Sequence, residues 1–287
     1  MTIQSFDLLQ PRSLSEAVDM LAEHGDDARA LGGGTTLVIL MKQRALQYRY
    51  LVDLQSIPGL NEIGREADGA RIGALVTHRA VESSALIREA FPALADAFSR
   101  IGNVRVRQTA SVGGNLAHGD YRLDPPPVLL VLGAEVNIVG PNGARTVPLS
   151  SFFRGMYETA LESAEVLVDV KVPFMRPDSR AVYLRYSTLS ANDWPCLGVA
   201  GLLRKTSGRC KELRIALGGV AATPLLIDDL NFVADQKIDN ELMDRVLDQV
   251  DRQISPSGDL RGSEWYKRRM ARLFVRKAVE QLNGVLT

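Results

Sequence analysis

Val104-Arg105-Val106-Arg107-Gln108-Thr109-Ala110-Ser111-Val112-Gly113-Gly114-Asn115-Leu116-Ala117-His118-Gly119-Asp120, followed by Asp124-Pro125-Pro126-Pro127, is the stretch on which the reading of this chain turns. Its centre, Ser111 to Asn115, strips side chains from the backbone. A chain does that where it must turn tightly or approach something closely. A second such stretch stands upstream, Leu31-Gly32-Gly33-Gly34-Thr35-Thr36. Two loops rich in N–H groups point to a ligand with two adjacent anionic groups, such as a pyrophosphate. Thr35, Thr36, Ser111 and Asn115 add side-chain donors that suit phosphate oxygens. Neither loop is a P-loop, because the lysine of G-x-x-x-x-G-K-[ST] is missing. Neither is a Rossmann fingerprint, because Gly32 to Leu37 lacks the third glycine of G-x-G-x-x-G.

Outward from these loops the chain alternates. Ser13-Leu14-Ser15-Glu16 is a capping box for a helix that Gly25 stops. Residues 28–31 read as a strand entering the first glycine loop, and Leu37 to Arg44 as a helix leaving it. Strands are expected at 50–54 and 70–74, and helices at 80–88 and 92–101. After the second glycine loop, Asp124 and the prolines open a short apolar helix to Leu132. Residues 135–139 and 144–149 form a hairpin around Pro141-Asn142-Gly143. A strand covers 166–172. Beyond Pro177 the pattern becomes three strands, at 182–189, 196–205 and 211–217, then helices at 239–252 and 264–283. Strands followed by helices imply an α+β domain. The last helix carries Lys267, Arg268, Arg269, Arg272, Arg276 and Lys277, a solvated basic face or a docking face.

Length fits about two domains at roughly 150 residues each. The chain has 287 residues, 46% of them apolar and 24% charged, with zero formal net charge. That balance argues against a nucleic-acid partner or an anionic membrane surface. Residues 1–7 have no signal-peptide character, and no apolar run approaches the ~20 residues of a membrane span. A cytoplasmic protein is expected. Two cysteines, Cys196 and Cys210, fall short of the four ligands usual for an iron–sulfur cluster; buried thiols are expected. No metal site and no acid–base pair stands out, and His118 lacks a visible carboxylate partner.

The opening stretch closely resembles the FAD-binding medium subunit of the molybdenum hydroxylases, the family of carbon monoxide dehydrogenase and xanthine dehydrogenase. That family's pattern is roughly R-x-x-[GA]-[TS]-[IV]-G-G-N-x-x-x-[GA]-D, then D-x-P or D-P-P. The first loop fits its A-G-G-x-[ST]-L, followed by Met41-Lys42-Gln43-Arg44. Phe6-Asp7, Pro11 to Ala17, Leu51 to Leu54 and the Gly-Ala-x-x-Thr at 73–77 also fit, so the likeness is collinear over nearly the whole chain.

The resemblance implies an α+β protein. Residues 1–176 would form a FAD-binding domain of two α/β lobes, of the PCMH or vanillyl-alcohol-oxidase-like type. Residues 177–287 would form the C-terminal domain of the carbon monoxide dehydrogenase flavoprotein type, a three-stranded antiparallel sheet with helices. It implies FAD held by Leu31, Gly32, Gly33, Gly34, Thr35, Thr36 and Leu37, and by Ser111, Gly113, Gly114 and Asn115. Asp120 and Asp124 match acidic positions near the cofactor; Asp124 reads equally as a helix N-cap. Ile101 and Leu167 match apolar linings, and Trp194 an aromatic beside the isoalloxazine ring; His118, from its place in the glycine loop, reads as a residue that orients the loop or contacts phosphate. Many relatives carry a lysine or arginine where Ser190 stands. The implied role is electron transfer within a molybdenum hydroxylase, with no catalytic residue for the organic substrate here. Electrons would come from [2Fe–2S] clusters in a small partner subunit. A large subunit would hold molybdopterin cytosine dinucleotide, in a heterohexamer built as a dimer of heterotrimers. A stand-alone FAD-dependent oxidoreductase and a non-enzymatic nucleotide-binding scaffold are the alternatives.

Overall fold

The computed structural model describes residues 4–284. The chain opens with β1 (Asp7–Leu9), α1 (Leu14–His24), β2 (Ala28–Leu31), α2 (Leu37–Lys42) and β3 (Tyr50–Asp53). The strands form a parallel sheet in the order β1-β3-β2. Ser13 caps α1 by accepting from the Glu16 N–H, as the capping box predicts. The apolar face of α1, Ala17, Val18 and Leu21, is buried with Val52, Leu54 and Leu75.

A second sheet follows, fully antiparallel. It is built from β4 (Ile63–Arg65), β5 (Gly69–Gly73), β6 (Glu135–Gly140), β7 (Gly143–Pro148) and β10 (Val166–Pro173), in the order β4-β5-β10-β6-β7. The β8 (Phe153–Gly155) and β9 (Glu158–Thr159) hairpin lies between β7 and β10 in the chain. Between β5 and β6 run α3 (His78–Ser83), α4 (Ala85–Ala90), α5 (Pro92–Ser99), α6 (Val104–Thr109), α7 (Val112–His118) and α8 (Pro125–Leu132). The expected helix over 80–88 is thus two helices. Ser84 turns the chain to φ −63°, ψ 125° and caps α4.

The second glycine stretch is not a loop. Ser111 caps α7 by accepting from the Gly114 N–H, and Gly119 closes the helix at φ +65°. Gly113 makes this helix possible in its place: its N–H donates to the Ala74 carbonyl at 2.8 Å, and a Cβ there would lie 2.6 Å from the Ala74 Cβ. Tertiary contact thus overrides the poor helix propensity of two adjacent glycines.

The C-terminal sheet has four strands, not three: β11 (Ser179–Tyr186), β12 (Leu197–Thr206), β13 (Arg209–Gly218) and the two-residue β14 (Leu225–Leu226), each antiparallel to the next. Both faces are covered. Tyr183, Ala200, Leu202 and Ala216 join the core of the α5–α8 layer. Leu197, Val199 and Ile215 face α9 (Asn240–Gln253) and α10 (Glu264–Asn283). Double-sided burial explains why β12 reads as a continuous apolar run.

Four of the six basic residues of α10 are held within the chain, while Arg269 and Lys277 stay exposed. Arg268 donates to the Asp251 and Ile254 carbonyls at 2.7 and 3.1 Å. Arg272 pairs with Asp248 at 3.1 Å and with Asp251, and Arg276 pairs with Asp244 at 2.7 Å. Lys267 is 1% exposed and bonds the Ser257 carbonyl and Asp259. Arginines spaced by four on α10 meet aspartates spaced by four and three on α9, a ladder that locks the two helices together.

Candidate functional site

β2 ends at Leu31, and the chain turns through the glycines into α2. Gly34 sits at φ +69°, where a side chain would be strained. Among the described residues, the backbone N–H groups of Gly34, Thr35 and Thr36 have no protein acceptor. Successive N–H groups around a left-handed residue form a concavity suited to an anion.

This turn lies directly against the 109–115 segment. Ser111 Oγ accepts from the Gly33 N–H at 3.4 Å and from the Gly114 N–H at 3.3 Å. The hydroxyl expected to bind phosphate therefore clips the two glycine stretches together. A Cβ at Gly33 would lie 2.0 Å from the Thr109 carbonyl oxygen, and one at Gly32 2.8 Å from Ser111 Oγ. Gly32, Gly33 and Gly113 are thus required by contact between chain segments. Gly114 differs. It is exposed, and a Cβ there would meet only Ser111 Oγ, at 3.0 Å. The protein leaves that side open.

We expect Gly33→Ala to cost about 1–3 kcal/mol, as overpacking does, by pushing the two stretches apart. Thermal melting of the FAD-free chain reads it. An unchanged melting temperature would show that the stretches separate without cost.

The open side is a cleft of about 360 Å³ with a mostly apolar wall. Leu31 to Leu37, Ile101, Ser111, Gly114, Asn115, His118, Asp124 and Trp194 all line it. Three expected residues do not. Gly113 packs on Ala74, as above. Leu167 lies in β10 opposite Ile138 and is buried in the sheet core. Asp120, 1% exposed, is held by Arg122 through two hydrogen bonds of 2.9 and 2.7 Å. The alternative reading of Asp124 as an N-cap also fails. Its backbone is already helical, and its side chain makes no cap bond. Instead it accepts from Tyr183 Oη at 2.6 Å and from Arg185 Nε at 2.8 Å.

The structure adds wall residues the sequence did not single out: Arg29, Leu40, Leu46, His78, Val106 and Arg185. His78 is 2% exposed. Its Nε2–H donates to the Ser111 carbonyl at 3.1 Å, since a carbonyl only accepts. The remaining nitrogen, Nδ1, is then an acceptor, buried and without a partner among the described residues, as is Asn115 Oδ1. A ligand or ordered water with donor groups would satisfy both.

Burial governs the titrations. It pushes His78 down to about 4, with the Ser111 bond opposing and Arg107 adding to the drop. His118 is lowered mainly by burial, against the pull of Asp120. Burial raises Asp124 despite its arginine. Both cysteines are buried, and burial raises their thiols.

The His78 shift carries a pH prediction. An unfolded histidine takes up a proton near pH 6.5, whereas the folded one resists until about 4. The unfolded state therefore binds more protons in that window, and stability falls as pH drops through it, by about 3 kcal/mol in all. Denaturant unfolding of the wild type and of His78→Gln at pH 7.5, 6.0 and 4.5 is the measurement. The variant should lose less on acidification; equal losses would remove His78 as the cause.

The fold is that of a flavoprotein family. Residues 4–175 match the family described as FAD binding domain in molybdopterin dehydrogenase. Residues 182–282 match the carbon monoxide dehydrogenase flavoprotein C-terminal domain. The chain belongs to the family of FAD-binding medium subunits of molybdenum hydroxylases, oxidoreductases of the carbon monoxide and xanthine dehydrogenase type. It is 34% identical over 275 residues to the carbon monoxide dehydrogenase medium chain of Hydrogenophaga pseudoflava, covering 96% of each. It is 27% identical to the xanthine dehydrogenase FAD-binding subunit of Escherichia coli O157:H7, over 94% of this chain and 93% of that one. A solved structure of carbon monoxide dehydrogenase from Hydrogenophaga pseudoflava superposes with a TM-score of 0.95 over 98% of both chains. Quinoline 2-oxidoreductase from Pseudomonas putida 86, at 29% identity, gives 0.92 over 99% of both.

Proposed function

We propose that the cleft holds FAD and that this chain is the electron-transfer subunit of a molybdenum-containing dehydrogenase. The observation that carries this is the division of labour among the glycines. Gly32 and Gly33 bring the two glycine stretches together and Gly113 seats α7 on Ala74, while Gly114 and the N–H groups of 34–36, without acceptors among the described residues, face an open cleft. The residues present fit the cofactor. The N–H groups suit its phosphates, the buried acceptors on His78 and Asn115 suit a ligand carrying hydroxyls, and the apolar wall suits flat rings.

FAD, when bound, supplies a ring that exchanges electrons with a donor and an acceptor. The chain's own part is to bind, orient and exclude water. Gly34 to Thr36 would receive phosphate oxygens. The Ser111 clip sets the spacing of the two walls. Ile101, Leu40 and Val106 would keep water from the rings, and Trp194 would stack at the mouth. No side chain of the cleft is asked to move a proton to or from an organic substrate.

The same reading divides the chain into a FAD-binding part, 1–176, and a C-terminal part, 177–287. It assigns the [2Fe–2S] clusters to a small partner subunit and molybdopterin cytosine dinucleotide to a large one, in a dimer of heterotrimers in the cytoplasm. The relatives' own designation as medium chains supports this assembly. No helix of the described residues is long and apolar enough to cross a membrane.

Titrating the FAD-free chain with FAD tests the proposal. We expect one flavin per chain, reduced on mixing with substrate only when the partner subunits are present. A chain that stays colourless at saturating FAD would overturn the flavin reading. Bleaching by substrate in the isolated chain would favour a stand-alone oxidoreductase.

A further inference from the structure

Trp194 stands at the mouth of the cleft with 44% of its surface exposed. An indole so placed, on the 187–194 turn, has little packing to fix it. Two guanidinium groups from separate chain segments meet it. The Arg122 carbon lies 5.5 Å from the Trp194 ring centroid, and the Arg261 carbon 6.0 Å. Arg122 belongs to the segment after α7, and Arg261 to the loop before α10.

We propose that Arg122 and Arg261 are positioning residues for the cofactor site, forming a clamp that fixes the Trp194 indole against the ligand. The proposal rests on FAD occupying the cleft. Planar, weakly hydrated guanidinium groups suit stacking on an aromatic ring. Each is itself held. Arg122 grips Asp120 through two bonds and donates to Tyr157 Oη at 3.0 Å. Arg261 donates to Asp193 Oδ1 at 2.7 Å and to the Trp194 carbonyl at 3.2 Å. Its own carbonyl accepts from Thr188 Oγ1 at 3.0 Å. Asp193 in turn accepts from the Trp194 backbone N–H at 2.8 Å. The turn is thereby stitched to the C-terminal loop at Thr188, Asp193 and Trp194.

The charge pattern tells what the clamp does. Each guanidinium has its own carboxylate, Asp120 or Asp193, within 2.7 Å. The pair therefore adds no net charge to the cleft wall. Its action is on where the ring lies and how freely it moves. In this way the C-terminal part contributes to the cleft directly, through Arg185, Asp193 and Trp194, and indirectly through Arg261 behind the indole.

The test uses the full chain with Arg122→Gln, Arg261→Ala and Arg261→Lys, each also in a Trp194→Ala background. We expect Arg261→Ala and Arg122→Gln to weaken FAD about tenfold, the size of one charge-assisted contact. Both should raise the fluorescence of the bound flavin, because a fixed indole beside it quenches emission. Arg261→Lys should restore part of both readouts. In the Trp194→Ala background the arginine changes should have almost no further effect, which is the signature of action through the indole. Equal effects with and without Trp194, or unchanged flavin fluorescence in chains that bind FAD, would overturn the clamp. If the wild type binds no FAD, the functional reading fails instead. The clamp is then read from the Trp194 emission anisotropy in a Trp265→Phe chain, which both arginine variants should lower by freeing the indole. An anisotropy that does not change would overturn the clamp there too.

Discussion

Arg185→Ala will destabilise the folded chain by about 3–5 kcal/mol at neutral pH, the cost of stranding one member of a buried ion pair. Arg185 and Asp124 each have only 6% of their side chains exposed. Asp124 has two partners, Arg185 and Tyr183, and Tyr183 is itself buried, its phenol pushed well above the usual range. Burial already raises Asp124 with its cation in place. Removing the cation raises it further. A carboxyl whose folded pKa exceeds its unfolded one takes up its proton more readily when folded. The deficit of the variant therefore shrinks as pH falls toward that pKa. Denaturant unfolding of wild type and variant at pH 7.5 and 5.5 gives the difference at each pH, in which the His78 contribution cancels. A difference that stays constant would mean that the loss comes from packing, not from Asp124. Adding Asp124→Asn should recover much of it. Arg185 also donates to the Ala191 and Asp193 carbonyls, so its loss frees the turn that carries Trp194.

That network shows where sequence reading stops. Local signals were sound where a motif closes on itself. The capping box at Ser13, the hairpin around 141–143, and the helix over 264–283 are all determined within a few residues. The glycine stretch at 111–118 was misread because its helical state depends on Ala74, a neighbour only in the folded chain. Short strands such as β4 and β14 exist because a partner strand fixes them, with too few residues to show a period of two.

The candidate site divides in the same way. Both glycine stretches were visible because they depart from ordinary composition, and their flanking residues tied them to one family. His78 and Arg185 were not visible. His78 reaches Ser111 across 33 positions, and Arg185 reaches Asp124 across 61. No local spacing marks either. Thr77 as the N-cap of α3 was a readable signal, but it announces a helix start, not a buried imidazole. Ser111 illustrates a subtler limit. It lines the cleft, yet its hydroxyl joins two backbones, a role that depends on Gly33 lying opposite.

Gly114→Asp will separate binding from folding. At Gly33 any side chain meets backbone, whereas at Gly114 the protein offers only Ser111 Oγ at 3.0 Å and otherwise open cleft. A carboxylate there should cost the empty chain little. The phosphate reading makes it costly to the complex. Like charges about 4 Å apart, at the effective dielectric typical near a protein surface, repel by about 4 kcal/mol. Even half of that lowers affinity more than tenfold, and the full amount approaches a thousandfold. We therefore expect FAD affinity to fall by about a hundredfold, with the melting temperature of the FAD-free chain nearly unchanged. Gly114→Asn supplies the control. It has nearly the same size without the charge, so it should lose much less affinity, and the gap between the two variants should narrow at high salt. Full flavin occupancy in Gly114→Asp would place the phosphates elsewhere in the cleft. Equal losses in the aspartate and asparagine variants would make Gly114 a steric neighbour of the ligand and not a neighbour of its charge.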